Sequence, residues 1–222
     1  MGRERPGKTA IFADLHNNHA GLAAVLHDAA AHKVDDFVFL GDAGHAPRIF
    51  AALHARGIPC VFGNWEVSGL ARLQPPLVDW VSGWPALIQR ERAVFCHATP
   101  DMPAGVTTTA SAAATLRPGV SWSALFPRLH RDEQARWLAF AWLETHDVQV
   151  AFHGHTHAQM VYRWERDAHR LHAATQQSRV TLQPGMRYLI GVGSAGAPDD
   201  GPHLRYAIYD AQASTVILRR LA

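Results

Sequence analysis

Seven side chains stand where hydrophobic runs of this 222-residue sequence end. They are Asp14 and His16 after TAIFA, Asp42 after DDFVFLG, Asn64 after IPCVFG, His97 after AVFC, and His155 and His157 after VQVAFHG. Carboxylate, imidazole and amide oxygen together make a donor set that divalent first-row metals accept. Seven donors are too many for one ion and suit two, provided that one carboxylate bridges. Asp42, at the end of the middle of the first three runs, is the natural bridge. Singly, each element is ordinary: a GD pair after a strand is a common turn, and His97 in FCHATP reads as a strand-end histidine. In chain order, each at its own strand end, they point to a metal centre. In D-L-H the two polar side chains are two apart, so they share a face only if extended backbone continues past Asp14. G-H-T-H repeats that spacing.

The elements that must position these donors follow from periodicity. TAIFAD (9–14), DDFVFLGD (35–42) and IPCVFGN (58–64) read as buried strands, separated by helical patterns over 19–32 and 46–57. Leu22, Val25, Leu26 and Ala29 form the apolar face of the first helix. This rhythm means βαβ units and a parallel sheet with helices outside, and ligands bind at the carboxyl edge of such sheets. Short strands are expected at 78–82, 86–90 and 92–97. TTTASAAATLRPG, within a Thr-, Ala-, Ser-, Pro- and Gly-rich stretch, reads either as a loop or as a ragged helix. The region at about 100–130 reads as an insertion over the active edge. A helix at 131–146 carries Trp137, Leu138, Ala141, Trp142 and Leu143 as its apolar stripe, its tryptophans serving packing. Further strands are expected at 159–164, 169–173, 179–183, 187–191, 204–210 and 213–219, the last two as a hairpin. One domain of two sheets over 1–222 accounts for the pattern.

Composition excludes several classes. With 21 Lys and Arg against 19 Asp and Glu, the net charge of +2 and the scattered arginines offer no extended nucleic-acid surface. No apolar run reaches the roughly 18 residues that a membrane helix needs. MGRERPGKT lacks the apolar segment of a signal peptide and the hydroxyl residue of a myristoylation signal. A cytoplasmic protein is expected. Fifteen histidines strengthen the case for metal or proton chemistry. Cys60 and Cys96 read as small buried residues in neighbouring strands.

D14-L-H16-N-N18, G41-D42, G63-N64-W-E66, the isolated H97 and G154-H155-T-H157 resemble the five blocks of the calcineurin-like metallophosphoesterases. The tail LIGVGSAGAPDDGPHLRYAIYD is similar to that of the family's small prokaryotic phosphodiesterase-like branch. The resemblance covers nearly the whole chain, least well over 100–147. It implies a four-layer α-β-β-α sandwich of two mixed β-sheets flanked by helices. It also implies two divalent ions, manganese first, with iron or zinc as alternatives. Asp14, His16, Asp42 and His157 would hold one ion. Asp42, Asn64, His97 and His155 would hold the other, with Asp42, Asn64 and His97 also acting on the reacting phosphate. The implied reaction is hydrolysis of a phosphodiester or phosphomonoester by a hydroxide shared between the ions. Alternatives are a protein phosphatase, a dinucleoside polyphosphate hydrolase, or a non-catalytic protein-binding scaffold. The expected partner is a small phosphoester, nucleotide or aryl, and the oligomeric state is left open.

Three departures from the family pattern matter. Asn17 replaces the usual glycine before Asn18. GDAGHAP lacks the arginine that would clamp a phosphate, for which His45 or Arg48 could partly substitute. Trp65 stands where many relatives have a histidine held by the following acid, here Glu66. Indole donates a hydrogen bond but has no accessible pKa, so Trp65 cannot deliver a proton. It either walls an aromatic pocket or packs beneath the insertion. Glu66 is then free to accept from another neighbour, and His19 and His45 are the candidates to supply the missing proton. Gly63 is expected to let the chain turn sharply at its strand end.

Overall fold

A computed structural model describes residues 7–34, 36–116, 121–175 and 177–221. The expectations about MGRERP, and about residues 117–119 at the end of TTTASAAATLRPG, lie outside the described residues.

The chain opens with β1 (Lys8–Phe12), α1 (His19–Ala31), β2 (Asp36–Phe39) and α2 (Pro47–Ala55). β1 and β2 pair in parallel, with Phe12 opposite Phe39. Alternation along β1 divides its side chains between two cores. Ala10 and Phe12 pack with Leu22 and Val25 of α1, whereas Ile11 and Ala13 meet Val38, Phe152 and Ile190. The expected third strand at 58–64 is reduced to a single parallel bridge, Phe39 to Cys60. Pro59 has no N–H to extend a ladder, and the chain turns at Gly63 into α3 (Asn64–Gly69).

After a 3₁₀ turn at Leu70–Arg72, α4 (Pro75–Ser82) replaces the strand expected at 78–82. Two prolines open it and the C-cap is Gly83; proline preset to helical φ suits a first turn that has no use for its N–H. β3 (Leu87–Arg90) and β4 (Ala93–Cys96) follow as expected. Next come α5 (Thr109–Thr115), α6 (Trp122–Leu125) and α7 (Glu133–Thr145). TTTASAAAT is thus a helix, capped by Thr108, which accepts from the Ser111 amide. In α7 the buried face is Ala139, Phe140 and Leu143, so of the stripe expected Leu143 is buried and Trp142 packs half-buried against the core. Trp137 and Leu138 are exposed and Ala141 faces solvent. Trp137 still packs, edge-on to Trp164 with centroids 5.0 Å apart.

The remainder is strand: β5 (Val150–His153), β6 (Gln159–Glu165), β7 (Arg170–Ala174), β8 (Arg179–Thr181), β9 (Met186–Val192), β10 (Leu204–Asp210) and β11 (Thr215–Leu221). The first sheet runs β2-β1-β10-β11-β8 and the second β3-β4-β5-β9-β6-β7. Both are mixed: β1 with β2, and β4 with β5 with β9, are parallel, and the rest are antiparallel. One core lies between the sheets, a second under α1 and α2, and a third where α7 covers Val94, Ala151 and Leu189. This is the expected four-layer sandwich. Cys60 and Cys96 are buried and free but belong to different sheets, not neighbouring strands. No helix among the described residues is long and apolar enough to cross a membrane. The carboxyl ends of β1, β2, β4 and β5 open toward one edge.

Candidate metal centre

All seven expected donors meet at that edge. Asp14 and Asp42 are buried there. Nε2 of His16 lies 2.9 Å from Nε2 of His157 and 3.8 Å from Asp42 Oδ2. Nε2 of His157 is 3.7 Å from Asp14 Oδ1. On the other side, Oδ1 of Asn64 sits 3.0 Å from His97 Nε2 and 2.9 Å from His155 Nδ1, with His97 Nε2 3.6 Å from Asp42 Oδ1. Asp42 therefore faces both halves. Two overlapping clusters have ligand atoms spaced for a metal ion: Asp14, His16 and His157, and Asp14, Asp42 and His97.

The local backbone differs from the expected continuation of the strands. Asp14 (φ 55°), His16 (φ 45°), Asp42 (φ 63°), His155 (φ 61°) and His157 (φ 56°) all adopt left-handed conformations. D-L-H and G-H-T-H thus converge by left-handed turning, not by extended alternation. Such residues cost of order 1–2 kcal/mol each, and they are held by hydrogen bonds between loops. Asp14 N donates to Gly41 O, His16 N to Asp42 O, Asn17 N to Ala43 O and Gly154 N to His97 O. The chain turns at Gly63 as expected but without using glycine's conformational freedom, since its φ of −113° and ψ of −176° are open to any residue. Space demands glycine there: a Cβ would lie 2.2 Å from Asp42 Oδ1 and 2.7 Å from Asp42 N.

Around the donors, carbonyls and amides fix which atom points inward. Nδ1 of His97 donates to Leu40 O at 2.7 Å, which leaves the Nε2 lone pair toward the centre. The backbone of Phe126 engages the His155 ring, and that of Ala197 engages His157. Glu66 is buried and accepts from the amides of Asp42 (2.8 Å), Ala43 (2.8 Å) and Gly63 (2.7 Å), so it braces the two turns rather than the residue 65 side chain. Asn18 caps α1 through Gly21 N and ties it to Gly196 O; Asn17 Oδ1 accepts from the His45 and Ala46 amides. These residues position the site without lining it.

Electrostatics favour a cation. Burial pushes both Asp14 and Asp42 well above the usual carboxylate range, with Glu66 adding repulsion to each. Among the described residues, neither carboxylate has a Lys or Arg within ion-pair distance; the titratable side chains nearest them are histidines. Oδ1 of Asp14 is buried without a hydrogen-bond partner. Burial lowers His16 and His155 to about 4, and lowers His97 and His157 as well, so the imidazoles stay neutral. On the Asn64 side two acceptors, His97 Nε2 and Asn64 Oδ1, face each other at 3.0 Å with no proton between them. Deprotonated ligands, unmatched buried charge and an orphaned oxygen are what a bound cation requires. The residues fit divalent metal.

Sequence and structure comparisons agree with this geometry. The family model for the calcineurin-like phosphoesterase superfamily domain matches residues 8–214. The chain belongs to this superfamily. It is a metal-dependent phosphoesterase by family, with Asp and His groups placed to bind divalent ions. Among solved structures, a metallophosphoesterase from Sphaerobacter thermophilus superposes with a TM-score of 0.74 at 21% identity, over 98% of this chain and 89% of that one. A protein-tyrosine phosphatase of a psychrophilic Shewanella shares the fold more distantly, with a TM-score of 0.53 at 13% identity over 98% and 81% of the two chains. So does an archaeal phosphodiesterase, at 0.51 and 12% over 96% and 99%. No curated protein matches the sequence.

A cavity of about 420 Å³ lies over the donors, walled by Trp65, Arg128 and Ala197. Trp65 packs edge-on to His16 (4.7 Å) and tilted against His45 (5.0 Å), while its amide donates to Asp42 Oδ1 at 2.8 Å. Neither candidate proton donor lines this cavity: His19 is exposed at the first position of α1, and His45 sits behind Trp65. Arg48, on the exposed start of α2, does not line it either. The arginine present is Arg128, which sequence reasoning missed. Ser194 was also missed; its hydroxyl donates to Asp14 O at 2.7 Å and accepts from the Gly196 and Ala197 amides. It lies in the tail that carries the family resemblance, but nothing in the sequence tied it to Asp14.

Proposed function

We propose that this protein hydrolyses a phosphoester, more readily a diester, at a centre of two divalent ions. Asp14, His16, Asp42 and His157 would hold one ion, and Asp42, Asn64, His97 and His155 the other. The carrying observation is two buried carboxylates with no arginine or lysine within ion-pair distance among the described residues, facing four imidazoles that burial keeps neutral. The O- and N-donor set suits manganese, iron or zinc alike, and the family resemblance puts manganese first. The ions would supply Lewis-acid activation of water and of the phosphoryl group.

The chain's own residues do the rest. Arg128 borders the cavity, where its charge would meet an incoming anion and clamp the non-bridging phosphoryl oxygens. Nδ1–H of His97, held by Leu40 O, keeps that ring from rotating. Trp65 closes one wall but delivers no proton, so leaving groups that depart as stable anions are favoured. A second cavity of about 700 Å³ adjoins the first through Asn64, Arg128 and His155, leaving room for a second ester group. That room supports a diester over a monoester. The test is a panel of bis-aryl phosphates, aryl phosphates, cyclic nucleotides and phosphopeptides with manganese, iron or zinc supplied in turn. Diesters should give the highest kcat/KM, and Arg128→Ala should lower it by about 10- to 100-fold. Hydrolysis unaffected by chelation would contradict the reading.

A further inference from the structure

We propose that the adjoining cavity is a subsite for an aromatic ring, an aryl group or nucleoside base, carried on the phosphoester and seated on Trp122. The phosphate end of this subsite rests on the phosphoesterase reading above. Trp122, at the start of α6, is 45% exposed, an unusual position for the largest apolar side chain. Its ring stacks on Phe126 at 5.5 Å and 29°. Phe126 is buried and meets His97 edge-on at 5.8 Å and His155 at 6.0 Å. An unbroken run of rings therefore leads from the imidazoles of the metal centre to an indole at the mouth of the cavity. Trp65 is a poorer platform, because His16 and His45 already pack against its ring.

Charge selects a ring over a chain of further phosphates. Arg128 stands where the two cavities join, and neither Arg128 nor Arg131 has an ion-pair partner among the described residues. Arg131 shares the outer wall with Asp132 and Glu133, which cancel its attraction for added negative charge. One phosphate beside Arg128 and one neutral planar group on Trp122 match this wall. A polyphosphate does not. An exposed indole face accepts any base or aryl ring, because stacking uses the π surface and not hydrogen-bond readout.

The test separates the subsite from the chemistry by using non-hydrolysable ligands. Phenylphosphonate and ethylphosphonate are titrated calorimetrically into the manganese-supplied protein. The wild type should bind phenylphosphonate about 10-fold more tightly than ethylphosphonate. Trp122→Ala should bring that ratio to about one with ethylphosphonate affinity unchanged, and Trp122→Phe should restore most of it. Arg128→Ala should weaken both ligands by a similar factor and keep the ratio. Circular dichroism checks that each variant is folded. Equal affinities in the wild type, or a preference that survives Trp122→Ala, overturns the subsite while leaving the phosphoesterase reading standing. Binding of neither ligand overturns both.

Discussion

Asp28 and Asp42 are both partly or wholly buried carboxylates held in one sheet-and-helix layer, yet their surroundings are opposite. Asp28, on α1, receives a forked pair of hydrogen bonds from Arg219 of β11, Nε to Oδ2 and Nη2 to Oδ1, each 2.8 Å. The Tyr206 hydroxyl of β10 donates to it as well. These bonds, led by Arg219, hold its carboxyl below the usual range. Among the described residues Asp42 and its neighbour Asp14 have no such partner, and burial drives them the other way. Where the chain encodes the counter-cation, the acid fastens α1 to the sheet. Where it does not, the acid waits for a cation from solution, and the left-handed turns, Glu66 and Ser194 exist to keep it in place.

Removing the unmatched carboxylate should have the largest effect. Asp42→Asn should lower the rate of phosphoester hydrolysis by about 10³-fold or more, since the ions supply several kcal/mol of transition-state stabilisation. A rate within tenfold of wild type would erase the contrast with Asp28. Proton supply is the next way to sharpen it, because among the described residues lining the donor cavity the only histidines are the proposed ligands His16, His155 and His157, and none replaces the histidine absent at position 65. Across aryl esters, the rate of the chemical step should fall steeply as leaving-group pKa rises. Trp65→His should flatten that slope and raise the rate of the poorest leaving groups by about 10²-fold. A flat slope in the natural protein, with product release shown to be fast, would mean that another acid acts.

The matched carboxylate should matter for stability alone. Asp28→Asn should cost about 2 kcal/mol in chemical denaturation, the range for a hydrogen bond between charged groups. Activity with metal supplied should stay within about twofold. The smallest effect is its pH dependence. Because the folded-state pKa of Asp28 lies below the unfolded one, its contribution is fully present above about pH 4. It is lost as pH falls through the folded value. The stability gap between wild type and Asp28→Asn should therefore be constant from pH 5 to 7 and close below about pH 4. A gap that widened on acidification would reverse the assigned sign.

The contrast also marks what could be read from the sequence. Strand ends were legible because a hydrophobic run that stops on Asp, Asn or His declares both a buried strand and a polar edge. Hence Asp14, Asp42, His97 and His155 were placed correctly at one edge, and the two-sheet sandwich followed. The conformation of the turns was not legible. D-L-H looked like continued alternation, because residue spacing carries no sign of φ, and Gly63 looked like a glycine chosen for its φ when it is the lack of a Cβ that admits Asp42. At 78–82 the apolar residues fitted a strand, but Pro75 and Pro76 start a helix. Arg128 was hidden for another reason. It comes from a stretch without periodicity, and its place beside the donors depends on how α6 and α7 dock against the edge.

The most direct measurement is the metal content of the purified protein after saturation with manganese and removal of free ion, read by mass spectrometry against protein concentration. The account predicts two ions per wild-type chain, two per Asp28→Asn chain, and at most one per Asp42→Asn chain. Two tightly held ions in Asp42→Asn, or none in the wild type, would contradict it.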